Sequence, residues 1–142
     1  MVPQKQKRST LINELVEYFL VEGFDIIAAK DVIGYHKPVP VVNDGYGDQK
    51  DKVPDILAYD QIKKCFIVGI VRVDENEFDS EESLTEYNVF LDQKDKVTGE
   101  PHRLFIMIPS AGVNTMTSLI THYIHREYWH RVMIVTSKLS TD

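Results

Sequence analysis

The chain has 142 residues, 43% of them hydrophobic, enough for one globular domain with a single core and too few for two. Its formal net charge of -6 excludes a protein that coats nucleic acid through bulk electrostatics, because that affinity comes from Lys and Arg neutralising phosphates. No run approaches the ~18 apolar residues of a membrane span, the first residues lack the apolar stretch of a signal peptide, and a lone Cys65 forms no internal disulfide. A soluble, cytoplasmic protein without a membrane partner is expected.

In chain order, residues 1–8 carry Lys5, Lys7 and Arg8 and read as a flexible arm. Leu11, Ile12, Leu15, Val16, Phe19 and Leu20 then recur at helical spacing, behind a Ser9 or Thr10 cap and closed by Gly23. Phe24 to Ala29 is apolar and reads as a strand. From Lys30 to Val53 the chain is punctuated by Gly34, Pro38, Pro40, Gly45 and Gly47; irregular segments of this length are usually functional or disordered. Ile56 to Tyr59 and Cys65 to Val73 read as a hairpin with a loop longer than two residues.

Asp74 to Glu82 then holds six acids and no base, the composition of a solvated linker. Ser83-Leu84-Thr85-Glu86 fits a capping box for a second helix through Leu91. Leu104 to Ile108 reads as a buried strand, stopped by Pro109. Met116, Leu119, Ile120, Tyr123 and Ile124 mark a third helix behind an Asn114 cap, and Arg131 to Thr136 a last strand. His122, His125 and His130 lack the companions of a zinc spacing and read as surface or structural residues. The order α-β-β-β-α-β-α-β predicts an α/β domain spanning 1–142, with a mixed central sheet flanked by helices, antiparallel early and joined by crossovers later.

The chemistry-bearing pattern is Pro54-Asp55 at the head of one strand and Ile70-Val71-Arg72 on the next. Over roughly residues 9 to 110 this resembles the PD-(D/E)XK nuclease superfamily, with its restriction-endonuclease-like fold, and most nearly its Holliday-junction-resolvase-like domains. The resemblance implies that Asp55 is a metal ligand, that Ile70 occupies the position of the second acid, and that Arg72 replaces the lysine. It also implies a glutamate from the first helix, near Ile12, for which Glu14 is the available substitute, although Glu14 also fits a solvated helix face. Asp74 shares a strand face with Ile70 and Arg72 but lies ~13 Å along it from Ile70.

A hydrocarbon cannot bind a cation that wants oxygen ligands, so Mg2+ is expected to be weakly held or absent. Asp55 and Arg72 are expected to face one cleft and pair their charges, lowering the Asp55 pKa. Three functions stay open. One is a non-catalytic module that binds nucleic acid or a protein partner, with a homodimer as a further option. Another is an active divalent-metal-dependent DNA endonuclease with a relocated carboxylate, using Asp55, Arg72 and Glu14. The last is an unrelated α/β ligand-binding domain.

Overall fold

A computed structural model describes residues 3–138. Five strands form one open mixed sheet in the order β1-β2-β3-β4-β5: β1 Asp25–Ala29, β2 Ile56–Asp60, β3 Cys65–Val71, β4 Arg103–Pro109 and β5 Val132–Ser137. The first three pair antiparallel and the last two join in parallel. Helices α1 Gln4–Val21, α2 Glu81–Leu91 and α3 Val113–Tyr123 complete the α/β architecture. No helix among the described residues is long and apolar enough to cross a membrane.

Strand alternation divides the core into two layers. Ile56, Ala58, Ile67, Val71, Phe105 and Met107 pack with Leu11, Leu15 and Phe19 of α1. The intervening Val68, Ile70, Leu104 and Ile106 pack with α2 and α3 through Phe90, Met116 and Ile120. Gly69 is what lets α1 lie so close: a Cβ there would meet Phe19 at 2.9 Å and Leu15 at 3.0 Å, tighter than side chains tolerate.

The helix ends correct several expectations. The N-terminal segment is no arm from residue 4 onward: α1 begins at Gln4 with Pro3 at its cap, which suits a residue with no N–H to donate and φ fixed near its observed -59°. Ser9 and Thr10 therefore lie inside the helix. At the other end Gly23 takes φ +84°, its N–H reaches Leu20 O, and the N–H of Phe24 reaches Phe19 O. This paired closure needs glycine's left-handed backbone and brings Phe24 onto Phe19. Helix α2 is capped by Ser80, whose side chain accepts from the Ser83 N–H, so Ser83 and Glu86 are helical residues and not a capping box. Gly112, not Asn114, precedes α3.

Two other segments are more ordered than their composition suggests. The acidic stretch is no linker: it forms a short 3-10 turn, Glu75–Glu77, and buries Phe78. The long loop before β2 folds back onto α2. Its Val41 and Lys52 bridge, the Asn43 side chain accepts from Gly45 and Tyr46 N–H groups, and Gly47 sits where a Cβ would collide with Thr85 of α2. This loop becomes a wall of the cleft described next.

Candidate functional site

Asp55 immediately precedes β2 and Arg72 immediately follows β3, so antiparallel pairing brings them to the same end of the hairpin. Asp55 N–H donates to Gly69 O, and Arg72 N–H to Met107 O, which fixes both backbones against the sheet. The two side chains line one cleft of about 550 Å3, with α1, α2 and the long loop as further walls. The expectation of a shared cleft holds.

The expected Asp55–Arg72 ion pair does not form. Asp55 Oδ2 accepts from the Val71 N–H at 2.9 Å, while Arg72 Nη2 donates to Glu86 Oε2 at 2.9 Å and Nη1 to Val71 O at 3.0 Å. The guanidinium also lies 5.4 Å from the ring centre of Tyr87, within cation–π range. Its Nε is buried without a hydrogen-bond partner among the described residues. Helix α2 thus captures the arginine, because Glu86 and Tyr87 both project toward the end of β3.

Burial then sets the charge states. The expected lowering of the Asp55 pKa is reversed: removal from water raises it, outweighing the Val71 N–H and the attraction of Arg72, which pull it down. Glu86 is raised in the same sense, again by burial first, with Arg72 opposing and the Asp55 charge adding to the rise. Arg72 is pulled down by burial, but the neighbouring Glu86 charge prevails and holds it firmly protonated.

Glu14 is not part of this cleft. Its carboxylate accepts from the Ser137 hydroxyl at 2.7 Å and the Lys138 N–H at 2.8 Å, and it lines a separate cavity of about 250 Å3 with Tyr18 and Met107. The reason is rotational: with Leu11, Leu15 and Phe19 facing the sheet, Glu14 is carried toward β5, while Arg8, earlier on α1, reaches the cleft instead. Arg8 donates to Val71 O at 3.2 Å and to Glu77 Oε2 at 2.6 Å. Glu77 in turn accepts from the Val73 and Asp74 N–H groups. Asp74 is exposed and does not line the cleft. Ile70 is 1% exposed, within the core beneath α2 and α3.

Lys52 and Asp48 form a third internal pair at 2.7 Å, with the lysine buried. Sequence reasoning does not single out Arg8, Glu77, Glu86, Lys52 or Asp48 as site residues. Their only trace there is charge recurring on segments that turn out to face the β2–β3 end, with Ser83 and Glu86 one helical turn apart.

The nuclease resemblance implies Mg2+, and the donors here do not fit it. Among the described residues no group of three or more His, Cys, Asp or Glu converges to hold a metal. Of the carboxyls lining the cleft, Asp55 accepts from a backbone N–H and Glu86 from a guanidinium. The third corner is the hydrocarbon of Ile70. Mg2+ is held by one or two carboxylates beside waters and substrate phosphates, and here one oxygen of each carboxyl is already committed to the protein. His122, His125 and His130 supply no alternative centre among the described residues.

Comparison of this chain with models of known protein families, with curated proteins and with solved structures yields no match.

Proposed function

We propose that this chain is a nuclease-like domain that binds a macromolecular partner and does not hydrolyse phosphodiesters. The observation that carries this reading is the closure of the Asp55 corner on itself: Asp55 on Val71 N–H, Arg72 on Glu86, Ile70 in the core. Metal-assisted hydrolysis requires a cation that polarises the phosphate and generates a hydroxide, and a corner in which one oxygen of each carboxyl is already engaged and a hydrocarbon stands at the third position is a poor cage for one.

The cleft's charge supports a protein partner over a phosphate backbone. Five cationic and six carboxyl side chains line it, and three of the cations, Arg8, Lys52 and Arg72, are already paired within the chain. A backbone of phosphates gains affinity by releasing counterions onto unpaired Lys and Arg, whereas a protein surface of mixed charge matches a nearly neutral cleft.

The test is incubation of the full chain with linear and branched DNA in Mg2+ or Mn2+, together with gel shifts on the same substrates. Neither cleavage nor salt-resistant binding is expected. Metal-dependent cleavage abolished by both Asp55→Asn and Glu86→Gln would overturn the reading and make Glu86 the relocated carboxylate of an active endonuclease.

A further inference from the structure

At the opposite end of the β2–β3 hairpin the chain does something its core does not require. Two loops, Gln61 to Lys64 and Asp95 to Gly99, stand side by side, joined by a hydrogen bond from Thr98 Oγ1 to Lys64 O at 3.0 Å. Each carries an aliphatic side chain almost wholly in water: Ile62 and Val97 are both 92% exposed. Single exposed aliphatics need no explanation, but two on adjoining tips form a shared feature.

Both tips are held rigid by the same device. The buried Asp60 accepts from the Ile62 and Lys63 N–H groups, and the buried Asp95 from those of Val97 and Thr98. Little ordering is left to be done on binding. Around the two aliphatics Lys63, Lys64, Lys94 and Lys96 are exposed, and none of the four has an acidic partner within ion-pair distance among the described residues. The exposed acids beside them are Glu100 and Asp25, the latter accepting from the Gln61 side chain. On a chain of net charge -6, the surface of this end therefore presents four exposed lysines against two exposed acids, with two apolar points, while the buried Asp60 is answered by Arg103.

We infer that this end docks on an anionic lipid bilayer, the lysines at the headgroups and Ile62 and Val97 in the interfacial layer. Charge complementarity selects an anionic partner, and the apolar tips select among anionic partners. Duplex nucleic acid offers phosphates to lysine but no receptive surface for projecting aliphatics, and single strands stack on aromatic rings, which these loops lack. A bilayer offers both a negative surface and an apolar layer just beneath it. The acidic remainder of the molecule is repelled by the same surface and fixes the orientation. Such peripheral docking needs no membrane-spanning segment, and it departs from the expectation of no membrane partner drawn from the sequence.

The test is co-sedimentation of the full chain with phosphatidylcholine vesicles, with and without phosphatidylserine, at low and raised salt, alongside a duplex DNA gel shift. Binding is expected only with phosphatidylserine and is expected to weaken with salt. Lys63→Gln with Lys64→Gln should weaken it on the order of fivefold per lysine removed. Ile62→Asp with Val97→Asp should weaken it about tenfold or more while leaving the thermal midpoint in place. Ile62→Trp should add a blue-shifted emission on vesicle addition that the unmodified chain, with its Trp129, lacks. Absent vesicle binding, binding unchanged in both double variants, or an emission from the Ile62→Trp variant that vesicles leave unshifted would each overturn the inference. So would lysine-dependent DNA binding indifferent to Ile62 and Val97 in place of vesicle binding, which would make this end a nucleic-acid contact.

Discussion

The two ends of the β2–β3 hairpin are separated by the five residues of β2, roughly 17 Å, and are built on opposite principles. At the Asp55 end the buried Arg72 and Lys52 and the half-buried Arg8 are answered within the chain, by Glu86, Asp48 and Glu77 in turn. At the Ile62 end four lysines and two aliphatics stand exposed. The two ends therefore hold different kinds of energy. Changes at the compensated end should register in stability, because a buried charge that loses its partner is costly. Changes to the exposed lysines and aliphatics of the open end should register in binding, because no internal ion pair or core contact depends on them.

The largest effect is expected from installing the triplet that the nuclease resemblance implies, Ile70→Glu with Arg72→Lys. It places a carboxylate in the core position of a residue that is 1% exposed and loosens the Glu86 pair, so we expect a loss on the order of 5 kcal/mol or outright unfolding, read by urea denaturation. Near-normal stability would show that this corner is roomier than its packing implies. Arg72→Ala should follow at about 3–5 kcal/mol, since Glu86 is then buried without its cation, and the Tyr87 ring loses its guanidinium neighbour. The deficit should shrink in acid, where a protonated Glu86 no longer needs a counterion.

Asp60→Ala probes the internal bonds of the other end. It removes the acceptor for two N–H groups and the 3.6 Å pair with Arg103, for an expected loss of about 1–2 kcal/mol. Asp55→Asn should change stability by roughly 1 kcal/mol in the favourable direction at neutral pH. The sign follows from the raised folded-state pKa of Asp55. The folded form holds its proton more tightly than the unfolded form, so the Asp55 contribution is present at low pH and is lost as pH rises from the ordinary carboxylate range through the folded pKa. Asparagine keeps the Val71 acceptor and removes that loss, so the variant's advantage should disappear in acid. A variant less stable at neutral pH would mean that the Asp55 charge is a net support to the fold. Smallest of all, Ile62→Asp with Val97→Asp should move stability by less than about 0.5 kcal/mol.

Much of this molecule is legible in local sequence. The apolar period of α1, the alternation of β2 and the long apolar run of β3 place the core, and the spacing of Asp55 and Arg72 across a short loop places both at one cleft. What local pattern cannot carry is the partner of a charge. Arg8 and Glu77 are 69 residues apart and Arg72 and Glu86 are 14 apart, and each pair meets only because α1 and α2 dock at particular rotations. The same docking carries Glu14 away from the cleft to Ser137 and Lys138. The pKa direction of Asp55 escapes the sequence for a related reason: adjacency to an arginine is visible in a hairpin, but depth of burial is a property of the finished packing. Cap positions differ by a few residues because Ser9, Ser83 and Asn114 are as acceptable inside a helix's first turns as at its boundary.

The claim that the Asp55 corner is closed to metal is tested most directly by titrating the full chain with Mn2+ and following free ion by electron paramagnetic resonance. No stoichiometric site is expected, with the free-ion signal rising as it does in buffer and identically for the unmodified chain and Asp55→Asn. A single saturable site in the unmodified chain that Asp55→Asn removes would contradict it.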